Sequence, residues 1–205
     1  MTRILLDKAL PIGIKRLLDI TQSVFADKAL PSLDQHRLEL FFQERLTGLL
    51  ETQGYPLSHI TAVLEVQDLQ DWSQLRERLK AVSRFTALPE SQALASANKR
   101  ISNILKKSQE PVAAVVNTAL LNESAERELH AQLESISSHA HNLYLQQDYT
   151  GSLLALAGLR QAVDDFFNDV MVNAEDAALR QNRLGLLKLL HTHMNRVADL
   201  SRLAQ

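Results

Sequence analysis

Asn98-Lys-Arg-Ile-Ser-Asn-Ile-Leu-Lys-Lys107 mixes cations and aliphatic side chains in an order that a 3.6-residue period sorts and a two-residue period does not. At roughly 100° per residue, with Lys99 at zero, Lys106, Asn103, Lys107 and Arg100 share an arc of about 120°. Leu94, Ala97, Ile101, Ile104 and Leu105 fall on the opposite arc. The spacing therefore predicts a helix with one face to pack and one face of four positive charges. Pro89 suits a first helical position, and the Ala, Leu, Lys and Gln that follow are strong helix formers. From Ser91 to Gln109 there is no aspartate or glutamate, although acidic residues outnumber basic ones in the whole chain, 24 to 22. A polyanion would have to be held locally, and this face is the best local cluster. A plain solvated helix face fits the same spacing. Asn98 sits at the border of the apolar arc and reads as structural.

Outward from that helix, all the prolines fall between apolar-periodic segments, at Pro11, Pro31, Pro56, Pro89 and Pro111. Gly54 closes a long periodic segment as a helix stop should. Helices are expected at about 12–28, 34–53, 57–67, 72–87, 90–108, 123–147, 150–170 and 174–203. Asp71 with Gln74 resembles a capping box, and Asn173 followed by Glu175 and Asp176 reads as the capped start of the last helix. Val112 to Val116 is the one strand-like piece, short and flanked by alanines. The expected class is all-α. A polar turn around Leu69 to Trp72 marks a soft boundary, which gives residues 1–70 as the helical end of a preceding domain and 71–205 as a helical bundle.

Composition narrows the function classes. The chain has 205 residues and no cysteine, which excludes disulfides, thiolate metal sites and cysteine nucleophiles. No apolar run approaches the ~20 residues of a membrane span. Met1-Thr-Arg-Ile-Leu-Leu enters helical periodicity at once, as a chain cut from the middle of a longer one would.

Other clusters are read against structural roles. His139 and His141 are two apart, as are His191 and His193, so each pair splays by about 200° on a helix rather than converging on a metal. No metal site is expected. Asp164, Asp165 and Asp169, with Glu175 and Asp176, lie near no nucleophile or phosphate loop and are expected to pair with arginines of the last helix. There, Leu179, Leu187, Leu190, Met194 and Val197 form an apolar stripe that includes Arg183. A buried arginine requires a carboxylate, and Asp165 and Asp169 are its candidate partners. Arg180 and Lys188 lie towards the other side and can reach RNA. Phe166 and Phe167 offer rings for base stacking, although adjacent aromatics on a helix usually include a core residue.

The strongest blocks are His36 to Tyr55, with Glu44-Arg45-Leu46 and Gln53-Gly54-Tyr55; Ala97 to Lys107; and Ala162-Val-Asp-Asp-Phe-Phe-Asn-Asp-Val-Met-Val-Asn-Ala-Glu-Asp176. The last continues through Leu179-Arg180-Gln-Asn182-Arg183-Leu184 to Val197-Ala-Asp199. In this order they resemble the C-terminal portion of the bacterial glycyl-tRNA synthetase β-subunit family over essentially the whole chain. The final block also resembles the DALR-type anticodon-binding domain of arginyl-tRNA synthetases. Asp199-Leu-Ser-Arg-Leu-Ala-Gln205 differs slightly from the family's usual ending but keeps its length.

The resemblance implies a tRNA-binding module that holds the anticodon arm of glycine tRNA, following the helical end of the β-subunit body. It implies no catalysis and no cofactor in this portion, with ATP and Mg2+ at a separate α subunit that full-length β assembles with. It further implies a cytoplasmic setting and neither membrane nor DNA as a partner. Helical geometry on the matched motifs, rather than any family assignment, gives the candidate RNA-binding residues Lys99, Arg100, Asn103, Lys106, Lys107, Arg180, Asn182 and Lys188, with Asn173 a further amide for base edges. The alternative is a helical assembly scaffold whose basic face binds protein. An independent hydrolase has little support, since no nucleophile–base set is discernible.

Overall fold

The computed structural model describes residues 2–26, 34–66, 72–108 and 111–204, and within them the chain is all-α. The helices are α1 (Thr2–Asp7), α2 (Ile14–Val24), α3 (Gln35–Thr52), α4 (Leu57–Leu64), α5 (Leu75–Thr86), α6 (Ser91–Lys107), α7 (Ser124–Leu145), α8 (Tyr149–Ala157), α9 (Arg160–Asp169) and α10 (Ala177–Met194). Two 3-10 turns, Thr118–Leu120 and Leu200–Leu203, complete the set. Val112 to Val116 is irregular rather than a strand. The helix α1, which buries Leu5 and Leu6, follows the helical periodicity noted at the N-terminus, although the expected segments began only at 12.

Several helix ends follow from local chemistry. Gly54 leaves α3 at φ +90°, a conformation that favours glycine, and its N–H donates to the Glu51 carbonyl at 2.9 Å. The expected cap at Asn173 is corrected: Asp176 starts α10, its carboxylate accepting from the Leu179 N–H at 2.9 Å. Pro89 likewise precedes the helix, since α6 begins at Ser91 after Glu90. Asp71 and most of the soft boundary fall on residues 67–71, outside the described residues, and Gln74 precedes α5 without a side-chain cap.

The expected segment 150–170 is two helices. The chain turns at Gly158 and Leu159, where a Cβ on Gly158 would come within 3.4 Å of Ile136 of α7. That turn lets α8 and α9 each lie against α7. The last helix stops at Met194, well short of the expected 203. A buried guanidinium holds the chain just beyond that stop. Arg78 of α5, fully enclosed, donates from Nη1 to the Arg196 and Val197 carbonyls, both at 3.0 Å, and from Nη2 to the Tyr144 hydroxyl at 2.9 Å. The carbonyls left over at the end of a helix need donors, and Asn195 serves that of His191 with its N–H at 3.1 Å and its side-chain amide at 2.8 Å, while Arg78 holds the chain just past the end. The chain then folds back. The Asp199 N–H donates to the Ala62 carbonyl at 2.7 Å, and Arg202 pairs with Glu65 at 2.6 Å, so α4 and the C-terminal turn share a core with the rest.

The helix α10 is the spine of the C-terminal half, burying Leu184, Leu186, Leu187, Leu190 and Met194. Arg183 is buried in it and ion-paired, but not with Asp165 or Asp169. Its Nε donates to Oε1 of Glu126 at 2.6 Å, and its Nη1 to the Met171 carbonyl at 2.8 Å. The other oxygen of Glu126 accepts from the Glu123 N–H at 2.8 Å, closing a capping box at the start of α7. Asp165 instead accepts from Gln161, Asp164 pairs with Arg160, and Asp169 is exposed. The expected pairing of these acids with arginines of the last helix is therefore corrected. The partners of Asp164 and Asp165 lie within α9 itself, whereas Glu126 of α7 reaches Arg183.

Removing one member of a buried ion pair strands a charge and costs about 3–5 kcal/mol, while an apolar replacement of both costs less. In urea unfolding, Arg183→Met and Glu126→Leu should each lose about that much stability, and the double variant should lose less than the sum. Additive losses would show that the two side chains do not depend on one another.

Candidate nucleic-acid interface

The α6 helix is sorted as its sequence requires. Leu94, Ala97 and Ile101 are buried, Ile104 and Leu105 are half-buried, and Lys99, Arg100, Asn103, Lys106 and Lys107 are all exposed. Among the described residues, no carboxylate lies within ion-pair distance of the four cations. Asn98, by contrast, is fully buried and structural. It exchanges amide hydrogen bonds with Asn195 at 2.7 and 3.1 Å, and Asn195 also accepts from the Leu200 N–H at 2.9 Å. This amide pair ties α6 to the end of α10 and to the C-terminal turn.

Arg100 is held by an aromatic. Its guanidinium carbon lies 4.1 Å from the centroid of Phe167 on α9. Phe166 is core and Phe167 is half-buried beneath Arg100, so neither ring stands free for a base. The cationic side chain is thereby pre-oriented on the outer face.

A cleft opens on each side of α6. The first, about 570 Å³, has an aliphatic lining of Ile104, Ala177 and Leu184 with Lys107, Asn173, Arg180 and Gln181 around it. Arg180 spends one nitrogen on the Ala174 carbonyl at 2.7 Å, which holds the 170–176 loop and with it exposed Asn173 beside the helix. The second cleft, about 610 Å³, gathers Lys99, Asn103, Lys106, Lys188 and His191 with Asp199 and Arg202 of the C-terminal turn. Within it, Ser102 Oγ and His191 Nε2 are 2.9 Å apart. Burial, followed by Lys188, pushes the His191 imidazole below its ordinary pKa of 6.5, so the ring is neutral near pH 7.

Thus the structure brings Lys99, Arg100, Asn103, Lys106 and Lys107 to one face and sets Arg180 and Lys188 in the flanking clefts. Asn182 does not belong with them. It is buried, accepting from the Asn117 N–H at 2.7 Å and donating to the Asn117 carbonyl at 3.1 Å. Its role is to strap the 111–117 segment across α10, where a Cβ on Gly185 would collide with the Val115 carbonyl. Sequence reasoning missed His191 as a cleft residue because only the α6–α10 crossing brings it to Ser102. His139 and His141 are exposed on α7, and among the described residues no group of three or more possible ligands could hold a metal. No helix among them is long and apolar enough to cross a membrane.

Residues 94–200, which contain the first cleft and all of the second except its edge at 201–204, match the family described as the DALR anticodon binding domain. The chain is 48% identical over 202 residues to a protein of Delftia acidovorans named glycine–tRNA ligase beta subunit. It is 46% identical, over 202 and 204 residues, to proteins of that name from Methylobacillus flagellatus and Thiobacillus denitrificans. These alignments take in 98% to 100% of this chain but only 28% to 29% of each relative. The chain thus spans less than a third of the length of the curated relatives it matches.

The two amides Asn173 and Asn182 should separate cleanly. Asn182→Ala leaves buried backbone groups of Asn117 unpartnered and should cost about 1–3 kcal/mol, whereas Asn173→Ala on the surface should stay within about 0.5 kcal/mol. Equal thermal stabilities for the two variants would contradict the strap assigned to Asn182.

Proposed function

Because the chain belongs to the DALR anticodon-binding domain family, we propose that it binds the anticodon arm of a glycine tRNA, within a glycine–tRNA ligase. The observation that carries this reading is the exposed α6 face. Four cations stand there without a carboxylate partner among the described residues, on a chain whose net charge is −2. An acidic molecule has no overall attraction for a polyanion, so such a face is where RNA phosphates find favourable charge.

Recognition on this reading is positioning, not chemistry. Lys99, Arg100, Lys106 and Lys107 meet stem and loop phosphates, with Arg100 oriented by Phe167. Asn103 and Asn173, both exposed, offer a donor and an acceptor each, which suits the edges of unstacked bases. The cleft beside Lys107, with its aliphatic lining and Arg180, has the size and polarity to take such a base. Lys188 adds charge on the far side of α6. Residues 71–205 form the binding unit on this reading, and residues 1–70 connect it to the rest of the polypeptide.

The chain contributes affinity and tRNA identity and turns nothing over itself. Aminoacylation, with its ATP and Mg2+, takes place on a separate α subunit in the cytoplasm. The relatives, named as tRNA ligase subunits, support the RNA reading over a basic face that binds protein. Salt dependence separates the two, since counterion release gives RNA binding a steep log–log slope.

The test is a titration of glycine tRNA against the full-length protein at several salt concentrations. Neutralising Lys99, Arg100, Lys106 and Lys107 together to glutamine should weaken binding and flatten the log K against log salt slope by about 3–4. A quadruple variant with wild-type affinity and slope removes this face from the interface.

A further inference from the structure

The cleft between α6, the end of α10 and the C-terminal 3-10 turn has a charge arrangement that phosphate steering alone does not call for. Three ammonium groups converge on it: Lys99 and Lys106 from α6, and Lys188 from α10. The C-terminal turn adds Arg202 and Asp199, which are already engaged. Arg202 donates from Nε to Glu65 at 2.6 Å, and Asp199 accepts from the Ser201 N–H at 3.0 Å and hydroxyl at 2.7 Å. Arg202 also stands 3.8 Å from Asp199, so it is shared between two carboxylates, and the three lysines leave the cleft net positive. Half-buried among them sits His191, anchored by Ser102.

We infer that this cleft seats one phosphodiester of the bound RNA, with Lys99, Lys106 and Lys188 as its fixed charges and His191 as the member that takes up a proton when the phosphate arrives. The inference rests on the RNA-binding reading above. Without an anion the ring is kept neutral by desolvation and by Lys188 and Lys106, with only Asp199 acting the other way. An anion in the cleft cancels the lysines' field, and the imidazolium becomes the favoured form. The imidazolium has two N–H donors where the neutral ring has one, and Nε2 is the ring nitrogen at Ser102 Oγ. Binding and protonation are linked. A phosphate that raises the affinity of His191 for protons is itself bound more tightly as pH falls through the ring's bound-state pKa, until the free ring is also charged.

The consequence is a proton-linked component of RNA affinity assigned to one residue. Glutamine at 191 retains a hydrogen-bonding side chain for Ser102 but cannot charge. In the full-length protein, the ratio of wild-type to H191Q affinity for glycine tRNA should grow severalfold between pH 7.5 and pH 5.5, towards a limit of about tenfold for one unit of rise in the bound imidazole. Parallel pH profiles for wild type and H191Q overturn the inference, while the α6 variants above still decide RNA binding independently.

A second arm follows the His191 ring by NMR in the wild-type protein, so it does not depend on the variant folding. Saturating tRNA should raise the titration midpoint of His191 and leave exposed His139 where it was; an unmoved midpoint overturns the inference. Inorganic phosphate is the comparison probe. If it shifts His191 while tRNA does not, the cleft is an anion site for a ligand other than RNA, and the inference falls.

Discussion

The contact between Arg183 and Glu126 is the constraint from which the rest of the C-terminal half follows. One carboxylate, fully enclosed, closes the first turn of α7 with one oxygen and holds α10 with the other. The arginine, in turn, carries the Met171 carbonyl and so the loop that leads into α10. A buried ion pair adds little net stability over an apolar pair of similar volume, because both partners lose their hydration. Its effect here is register, since neither helix can slide without stranding a charge. With α10 fixed against α7, Asn182 can strap the 111–117 segment, and the bare backbone of Gly185 lets that segment approach.

The α6 helix is then set by polar pins on either side of its apolar face. The Asn98–Asn195 amide pair joins it to the end of α10, and Arg78 turns the chain back at Arg196 and Val197 so that the C-terminal turn packs beside it. These pins are buried, while the lysines and Arg100 on the outer arc are free to meet a ligand. The division between structural and ligand-facing polar groups thus follows burial. Amides and guanidinium groups that are enclosed have every partner they need, and those outside have capacity to spare. Two asparagines nine residues apart, Asn173 and Asn182, illustrate both cases.

The fold class and the basic face were legible because each depends on a period within one helix. The α6 arc needed only the positions of Leu94, Ile101, Lys99 and Lys106. Partners across the fold were not legible. Glu126 lies 57 positions from Arg183, and the carboxylates at Asp165 and Asp169 drew the pairing only because they are nearer in sequence. The signal that pointed to Glu126 was its place three residues after Glu123 at a helix start, the spacing of a capping box. Likewise the approach of Gly158 to Ile136 of α7 and the hold of Arg78 of α5 on the chain beyond Met194 are long-range contacts, which no local pattern reveals.

Lysine footprinting addresses the central claim in a single measurement, because the reactive groups are the ones invoked. Acetylation of the full-length protein with and without glycine tRNA, read by mass spectrometry, should show Lys99, Lys106 and Lys107 protected by the RNA. Lys15 of α2 and Lys80 of α5, exposed elsewhere, should react equally in both states. Unchanged reactivity of the α6 lysines at saturating tRNA, or protection at Lys15 and Lys80 in their place, would contradict the account.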